Sequence, residues 1–254
     1  MIKKTEIKQI ATQSVLFLTH IVNDTVLQRF YKLRYDCHGE YDVWFVYNDD
    51  SSGKVDFLCN CNVFKFSLHD IMHQGYTPLG VQVLHNVNYI VQLFRKQHPE
   101  YNHYWVVEYD VCFIGSWTIL FDYYRNQPFD LIASHVERFG KHNCKWCWWH
   151  HTNLSQHGLD SSAWMKSFNP IYRISANALS IMNEFLKTGV QGHYEVLMAT
   201  GIYHSGLSIR DMGGTGEFAD PDNPNLFYVK LEGESVTLMP GTTIINSDVR
   251  INTQ

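Results

Sequence analysis

The chain has 254 residues, 45% of them hydrophobic and 18% charged, a composition that builds a packed core and excludes an intrinsically disordered polypeptide. Lys and Arg number 20 against 25 Asp and Glu, a net charge of −5. No basic stripe is visible, which excludes a protein whose main task is gripping a nucleic-acid backbone.

Val15 to Thr19 is a short apolar run of strand length, and Asn23 or Asp24 can cap a following helix with Val26, Leu27, Phe30 and Leu33 at helical spacing. Tyr41 to Tyr47 reads as a second strand, broken by turn residues from Asn48 to Gly53, and Asn62 to Ser67 as a third. His85 to Arg95 carries an amphipathic helical pattern ahead of Pro99, and Tyr104 to Val107 is a fourth strand running into Glu108-Tyr109-Asp110. Trp117 to Tyr124 then reads as a short helix and Phe129 to Ser134 as a fifth strand. A Trp/His-rich loop over 143–162 follows, with a helix from about Ser175 to Lys187 ending at Gly189. Tyr194 to Gly201 and Gly206 to Met212 form a further apolar pair, and the tail from Lys230 reads as irregular. Alternating strands and helices imply one α/β domain, a Rossmann-like, mostly parallel central sheet with helices on both faces.

No apolar run approaches the roughly 20 residues of a membrane span. The charged start, Met-Ile-Lys-Lys-Thr-Glu, has no export-type apolar segment, and six Cys are too sparse for a disulfide framework. The expected location is the cytoplasm, and peripheral attachment at the inner face of the membrane is compatible with it.

Ligands of open α/β sheets bind outside the carboxyl ends of the strands. Glu108 and Asp110 stand there two residues apart, expected on one face of the strand with Tyr109 on the other. They are either a pair of oxygen donors for a divalent cation or solvated acids capping a strand. In 143–162, Trp146, Trp148, Trp149 and His150 suit stacking on a sugar ring, or pin the loop to the core. Cys144 and Cys147 with His142 and His150 or His151 have zinc-ligand chemistry but lack a second ligand pair at fixed spacing. His204 is either a third metal ligand or an ordinary polar side chain. Gly213-Gly214-Thr215-Gly216 lacks the Lys of a P-loop and reads as a connection or a lid.

The run Tyr104-Trp105-Val106-Val107-Glu108-Tyr109-Asp110-Val111, followed by Phe113, Gly115 and Trp117, resembles the acidic strand-end motif of GT-A-fold glycosyltransferases that use nucleotide sugars. Asp130 to His135 and Pro170 to Ser175 resemble the next two blocks, so the likeness spans about residues 14 to 212. It implies a GT-A fold with a nucleotide-sugar-binding half over 14–135, an acceptor side over 136–229 and a tail over 230–254. The family motif is usually Asp-any-Asp, and Glu108 departs from it at the first position. The resemblance implies Mg2+ or Mn2+ at Glu108 and Asp110, and donor contacts from Thr19, His20, Asp49, Tyr109 and Arg173. Glu195, in Gly192-His193-Tyr194-Glu195, looks like the base that takes the proton from the acceptor hydroxyl of an inverting enzyme. The expected reaction is transfer from a nucleotide-diphosphate sugar to a saccharide or glycolipid. A sugar nucleotidyltransferase and a non-catalytic carbohydrate-binding protein are the alternatives. The stretch Thr19 to Asp24 has neither the Gly nor the Lys of a triphosphate-gripping loop.

Overall fold

The computed structural model describes residues 12–51, 55, 58, 60–113, 115–213, 216–222, 227–230 and 243–246. Of the sequence readings, the start of the chain, Cys59, and Gly214 and Thr215 of the glycine-rich stretch lie outside these residues.

Four parallel strands form first: β1 (Gln13–Thr19), β2 (Asp42–Asn48), β3 (Asn62–Phe66) and β4 (His103–Glu108). The inner strands alternate their side chains between two buried layers, whereas the edge strand β3 buries Phe64 and Phe66 on one side and exposes Lys65. β1 sends Leu16 to one layer and Val15 and Phe17 to the other, and β4 divides Tyr104 and Val106 from Trp105 and Val107 in the same way. Helices cover both faces, as expected. On one side lie α1 (Asp24–Asp36) and α4 (Trp117–Tyr124). On the other lie α2 (Leu68–Met72), α3 (Val87–Gln97), α5 (Ala176–Lys187) and α6 (Tyr194–His204). The Asn23 carboxamide caps α1 by accepting from the Val26 amide at 2.9 Å, and Ser175 does the same for α5 from Ala178 at 2.9 Å.

Three further strands complete a seven-stranded sheet. These are β6 (Leu131–Arg138), β7 (Met165–Ser175) and β8 (Ile209–Asp211), in the order β3-β2-β1-β4-β7-β6-β8. β7 alone runs antiparallel, paired with β4 and β6. The chain is a single α/β domain with a mostly parallel sheet.

Several boundaries differ from the sequence reading. β7 carries no strand pattern because Asn169, Pro170 and Arg173 interrupt it, yet it is buried along nearly its whole length. Tyr194 to His204 is a helix buried on nearly every side, so it shows no helical stripe. β6 does not stop at Ser134 but continues through an irregularity in which His135 adopts φ 48°, a left-handed conformation uncommon outside glycine. Of the tail from Lys230, only Lys230 and residues 243–246 are among those described, and both lie in strands. β9 (Phe227–Lys230) and β10 (Thr243–Asn246) form a small second sheet with β5 (Cys112–Phe113), β10 lying between the other two. No helix among the described residues is long and apolar enough to cross a membrane.

Candidate functional site

β1 and β4 are neighbours whose register brings Leu18 opposite Glu108, so their carboxyl ends open at one place. The alternation that sends Tyr104 and Val106 toward α6 sends Glu108 the same way, and the Tyr194 hydroxyl donates to its Oε1 at 3.3 Å. The strand ends there. Tyr109 donates its amide to the Leu18 carbonyl at 3.0 Å, and Val111 donates to the Glu108 carbonyl at 3.0 Å. Asp110 is therefore placed by a turn and not by strand alternation, which corrects the expectation that both acids project from one strand face.

The two carboxyl groups still share one electrostatic environment. Burial pushes Glu108 up to about 8, and the charges of Asp110 and then Glu195 push it the same way, against the Tyr194 hydrogen bond. Burial also raises Asp110, opposed by hydrogen bonding at its own backbone and by Arg29 and His20. Oδ1 of Asp110 is buried without a hydrogen-bond partner. Two mutually repelling oxygen donors, one with an orphaned buried atom, fit a divalent cation that completes its shell with water or phosphate oxygens. No group of three or more His, Cys, Asp or Glu among the described residues is arranged to hold a metal, so the fit is that of a shared site and not of an all-protein cage.

Glu195 lies in the first turn of α6, 5% exposed. Its Oε1 accepts the Asn169 amide at 2.9 Å, and the reason lies in β7. β6 advances from Ile132 to Ser134 while β7 runs from Arg173 to Phe168, so extra chain accumulates around Asn169 and Pro170. The amide freed by that bulge finds Glu195. Burial raises Glu195 to about 7, against the Asn169 amide and the Lys166 charge. Nδ1 of His193 faces its Oε2 at 3.6 Å.

His193 leads outward to the Trp/His loop. Trp148 stacks on the His193 ring at 4.2 Å and 12°. His85 meets the Trp148 ring at 4.9 Å and His151 meets it at 5.6 Å. Trp148 is half-buried and His151 exposed. Trp146 and Trp149 are buried at 5% and 0%, and the Trp149 indole donates to the Asn143 carbonyl at 2.9 Å. These two pin the loop to the core and offer no face to an acceptor. His150 is exposed beside them, on the last turn before His151.

The remaining sequence candidates divide. His20 packs edge-on to Tyr109 at 5.1 Å, so both stand at the joined ends of β1 and β4. The Thr19 hydroxyl is spent on a turn, donating to the Ile21 carbonyl at 2.8 Å and accepting its amide at 3.0 Å. Asp49 is exposed and pairs with Lys65 at 3.6 Å. Arg173 is 0% exposed and donates to the carbonyls of Tyr124, Gln127 and Phe129. Opposite Trp105 in the register, it sits inward of the strand end and ties α4's exit to the sheet. It is not a donor-binding group. His204 closes the far end of α6 from Glu195, its Nε2 against the Ala163 carbonyl at 2.7 Å, and so does not join Glu108 and Asp110 as a third ligand. Cys144 bonds the Lys141 carbonyl and His142 faces Glu137 at 3.3 Å, which leaves no shared zinc geometry in that loop.

Sequence reasoning assigned no site role to Tyr194 or His193, nor to His85 or Asn169, and offered His151 only as a zinc-type ligand. The Gly192-His193-Tyr194-Glu195 run itself was the available signal for the first two. The others come together only through tertiary packing.

Residues 62–139, from the start of β3 to just past the end of β6 and including Glu108 and Asp110, match a family described as "Protein of unknown function (DUF3405)". No curated protein matches the chain. Among solved structures, it is similar to CMP:2-keto-3-deoxy-manno-octonic acid synthetase complexed with CTP, with 11% identity and a TM-score of 0.45, over 82% of this chain and 94% of that one.

Proposed function

We propose that the protein transfers a sugar from a nucleotide-diphosphate donor to a hydroxyl of a saccharide or glycolipid acceptor, with Mg2+ or Mn2+ at Glu108 and Asp110. The observation that carries this reading is the convergence of Glu108, Asp110 and Glu195 at the carboxyl ends of parallel strands, close enough for the other two to raise Glu108. That is where open α/β sheets take their ligands. The cation supplies charge neutralisation for the departing diphosphate.

The chain's own groups do the rest. Glu108 and Asp110 hold the donor end, and His20 and Tyr109 border it. Glu195, raised to about 7 by burial, has the basicity suited to removing a proton from an acceptor hydroxyl near neutral pH. With Glu195 as the base, attack on the face of the anomeric carbon opposite the leaving diphosphate would invert that centre. The half-buried face of Trp148, flanked by His85 and His151, gives the acceptor ring a stacking surface with hydrogen-bonding groups at its edge.

The test is calorimetry with UDP- and GDP-sugars with and without Mn2+, followed by an assay of nucleotide release. Metal-dependent binding with slow donor hydrolysis supports the reading. Asp110→Asn should weaken metal-dependent donor affinity by about tenfold or more, the scale of a lost ionic ligand. Glu195→Gln should keep donor binding and lose turnover. Saccharide binding without nucleotide affinity would make this a binding protein. Pyrophosphate release from a nucleoside triphosphate and a free sugar would make it a nucleotidyltransferase. Either result overturns the proposal.

A further inference from the structure

His193 has a buried ring nitrogen that no other group satisfies. The residue is 4% exposed, its Nδ1 makes no hydrogen bond, and the carboxylate oxygen Oε2 of Glu195 stands 3.6 Å away. That gap is too short to admit a bridging water, and buried polar groups are rarely left unpaired. The other Glu195 oxygen is already committed to the Asn169 amide at 2.9 Å. The ring cannot swing freely to a different partner: Trp148 lies flat on it at 4.2 Å, Tyr194 tilts against it at 5.0 Å, and His85 and Trp146 abut it at 5.7 and 6.3 Å.

We propose that His193 is a positioning residue for Glu195, donating its Nδ1–H to Oε2 and so fixing the carboxylate from the side opposite Asn169. The ring thereby ties the carboxylate to the Trp148 loop. Burial, and after it the charges of His85 and His151, keep this imidazole neutral down to about 3. A neutral ring carries one proton, and the charge on Glu195 selects Nδ1 to bear it. The functional consequence, that His193 aligns the base for the acceptor, rests on the sugar-transfer reading. The proton's location does not.

The experiment is long-range 1H–15N correlation NMR of the imidazoles at pH 8, with the His193 signals assigned by loss in His193→Phe. The expected result is the Nδ1–H tautomer in the native chain, the form that free imidazole favours less. In Glu195→Gln the carboxamide oxygen keeps the Asn169 amide, so its NH2 must face His193 and donate to Nδ1. The ring should then flip to the Nε2–H tautomer. An Nε2–H ring in the native chain, or an Nδ1–H ring retained in Glu195→Gln, overturns the proposal. Should Glu195→Gln fail to fold, Glu195→Asp serves, since its shorter carboxylate withdraws from Nδ1 and should return His193 to a tautomer mixture. An unchanged Nδ1–H ring there also overturns it. Kinetics then separate the two levels. With a working transfer assay, His193→Phe, which preserves the stack on Trp148, should lower kcat about tenfold with the donor KM unchanged. Equal loss in donor KM would refute the positioning role, whereas absence of any transfer activity would sink the enzymatic reading and leave the tautomer result standing.

Discussion

Ionising Glu108 works against the burial of its own side chain. Its carboxyl sits at about 8 in the folded chain against an ordinary 4.5, so the fold favours the protonated form. The stability this contributes is complete below about pH 4.5 and is lost as pH rises through about 8. Glu195 and Asp211, raised by burial to about 7 and about 6, act in the same direction. The protein without added metal should therefore lose thermal stability between about pH 5 and about pH 8. The difference between the native chain and Glu108→Gln isolates the share of one carboxyl. Taking about 2 kcal/mol as surviving solvent screening, that share is roughly 4–8 °C in a chain of this size. Mn2+ should restore much of it in the native chain and little in Asp110→Asn, and parallel profiles for all three proteins would contradict the shared site. Arg173 gives a second prediction with the opposite character. Burial lowers it to about 10, but its planar fork meets carbonyls of three residues, a task that a lysine ammonium cannot reproduce. Arg173→Lys should cost about 3 kcal/mol, seen as a fall of roughly 6–12 °C in melting temperature, while leaving nucleotide affinity unchanged.

Elements were legible in the sequence where one physical signal dominated. β1, β2 and β4 are runs of Val, Phe, Tyr and Trp, and α1 announces its start through Asn23. β7 and α6 were not, and both bear on the site. β7 contains Asn169, Pro170 and Arg173, residues that local propensity rejects and that only their tertiary partners explain: Glu195 for the Asn169 amide, and the carbonyls after α4 for Arg173. α6 is packed on all sides by β7 and α5, so its apolar residues have no polar face to contrast with. Glu108 and Asp110 could be picked out by position at a strand end, whereas the packing of Trp148 on His193 beside Glu195 could not, because it joins the 143–162 loop to the start of α6, segments well separated in the chain. The α5–α6 contact makes a prediction of its own. A Cβ at Gly201 would meet Met182 Sδ at 2.8 Å and the Phe185 ring at 2.8 and 2.9 Å. Alanine gains about 1 kcal/mol of helix propensity over glycine, but overpacking costs about 1–3 kcal/mol. Met182 can yield, the Phe185 ring less easily. Gly201→Ala should therefore be destabilising by about 1–2 kcal/mol in urea unfolding, and a stabilised variant would show that α5 moves aside freely.

The whole molecule ties its candidate site to distant chain. β5 begins at Cys112, two residues past Asp110, and the strand beside it is β10, with Thr243 opposite Cys112 and Ile244 opposite Phe113. β9 reaches β5 only through β10. A chain ending at Lys230 would keep the seven-stranded sheet and lose the strand on which β5 leans, so the turn carrying Asp110 would be held by β4 and by Arg29, which donates to the Tyr109 carbonyl at 3.0 Å, without support from β10. Glu108, anchored by β4 and by Tyr194, would keep its place. The expected outcome is selective: cooperative thermal unfolding persists, while Mn2+ affinity measured by titration calorimetry falls by about tenfold, or roughly 1.4 kcal/mol. Undiminished affinity in the shortened chain would mean that the turn between Glu108 and Val111 holds Asp110 without help from β10. Global loss of the transition would mean that the small sheet supports the whole fold. The first outcome would confine the site to β1, β4 and α6, the second would make its geometry inseparable from folding, and only the selective loss assigns β10 a part in shaping the carboxylate pair.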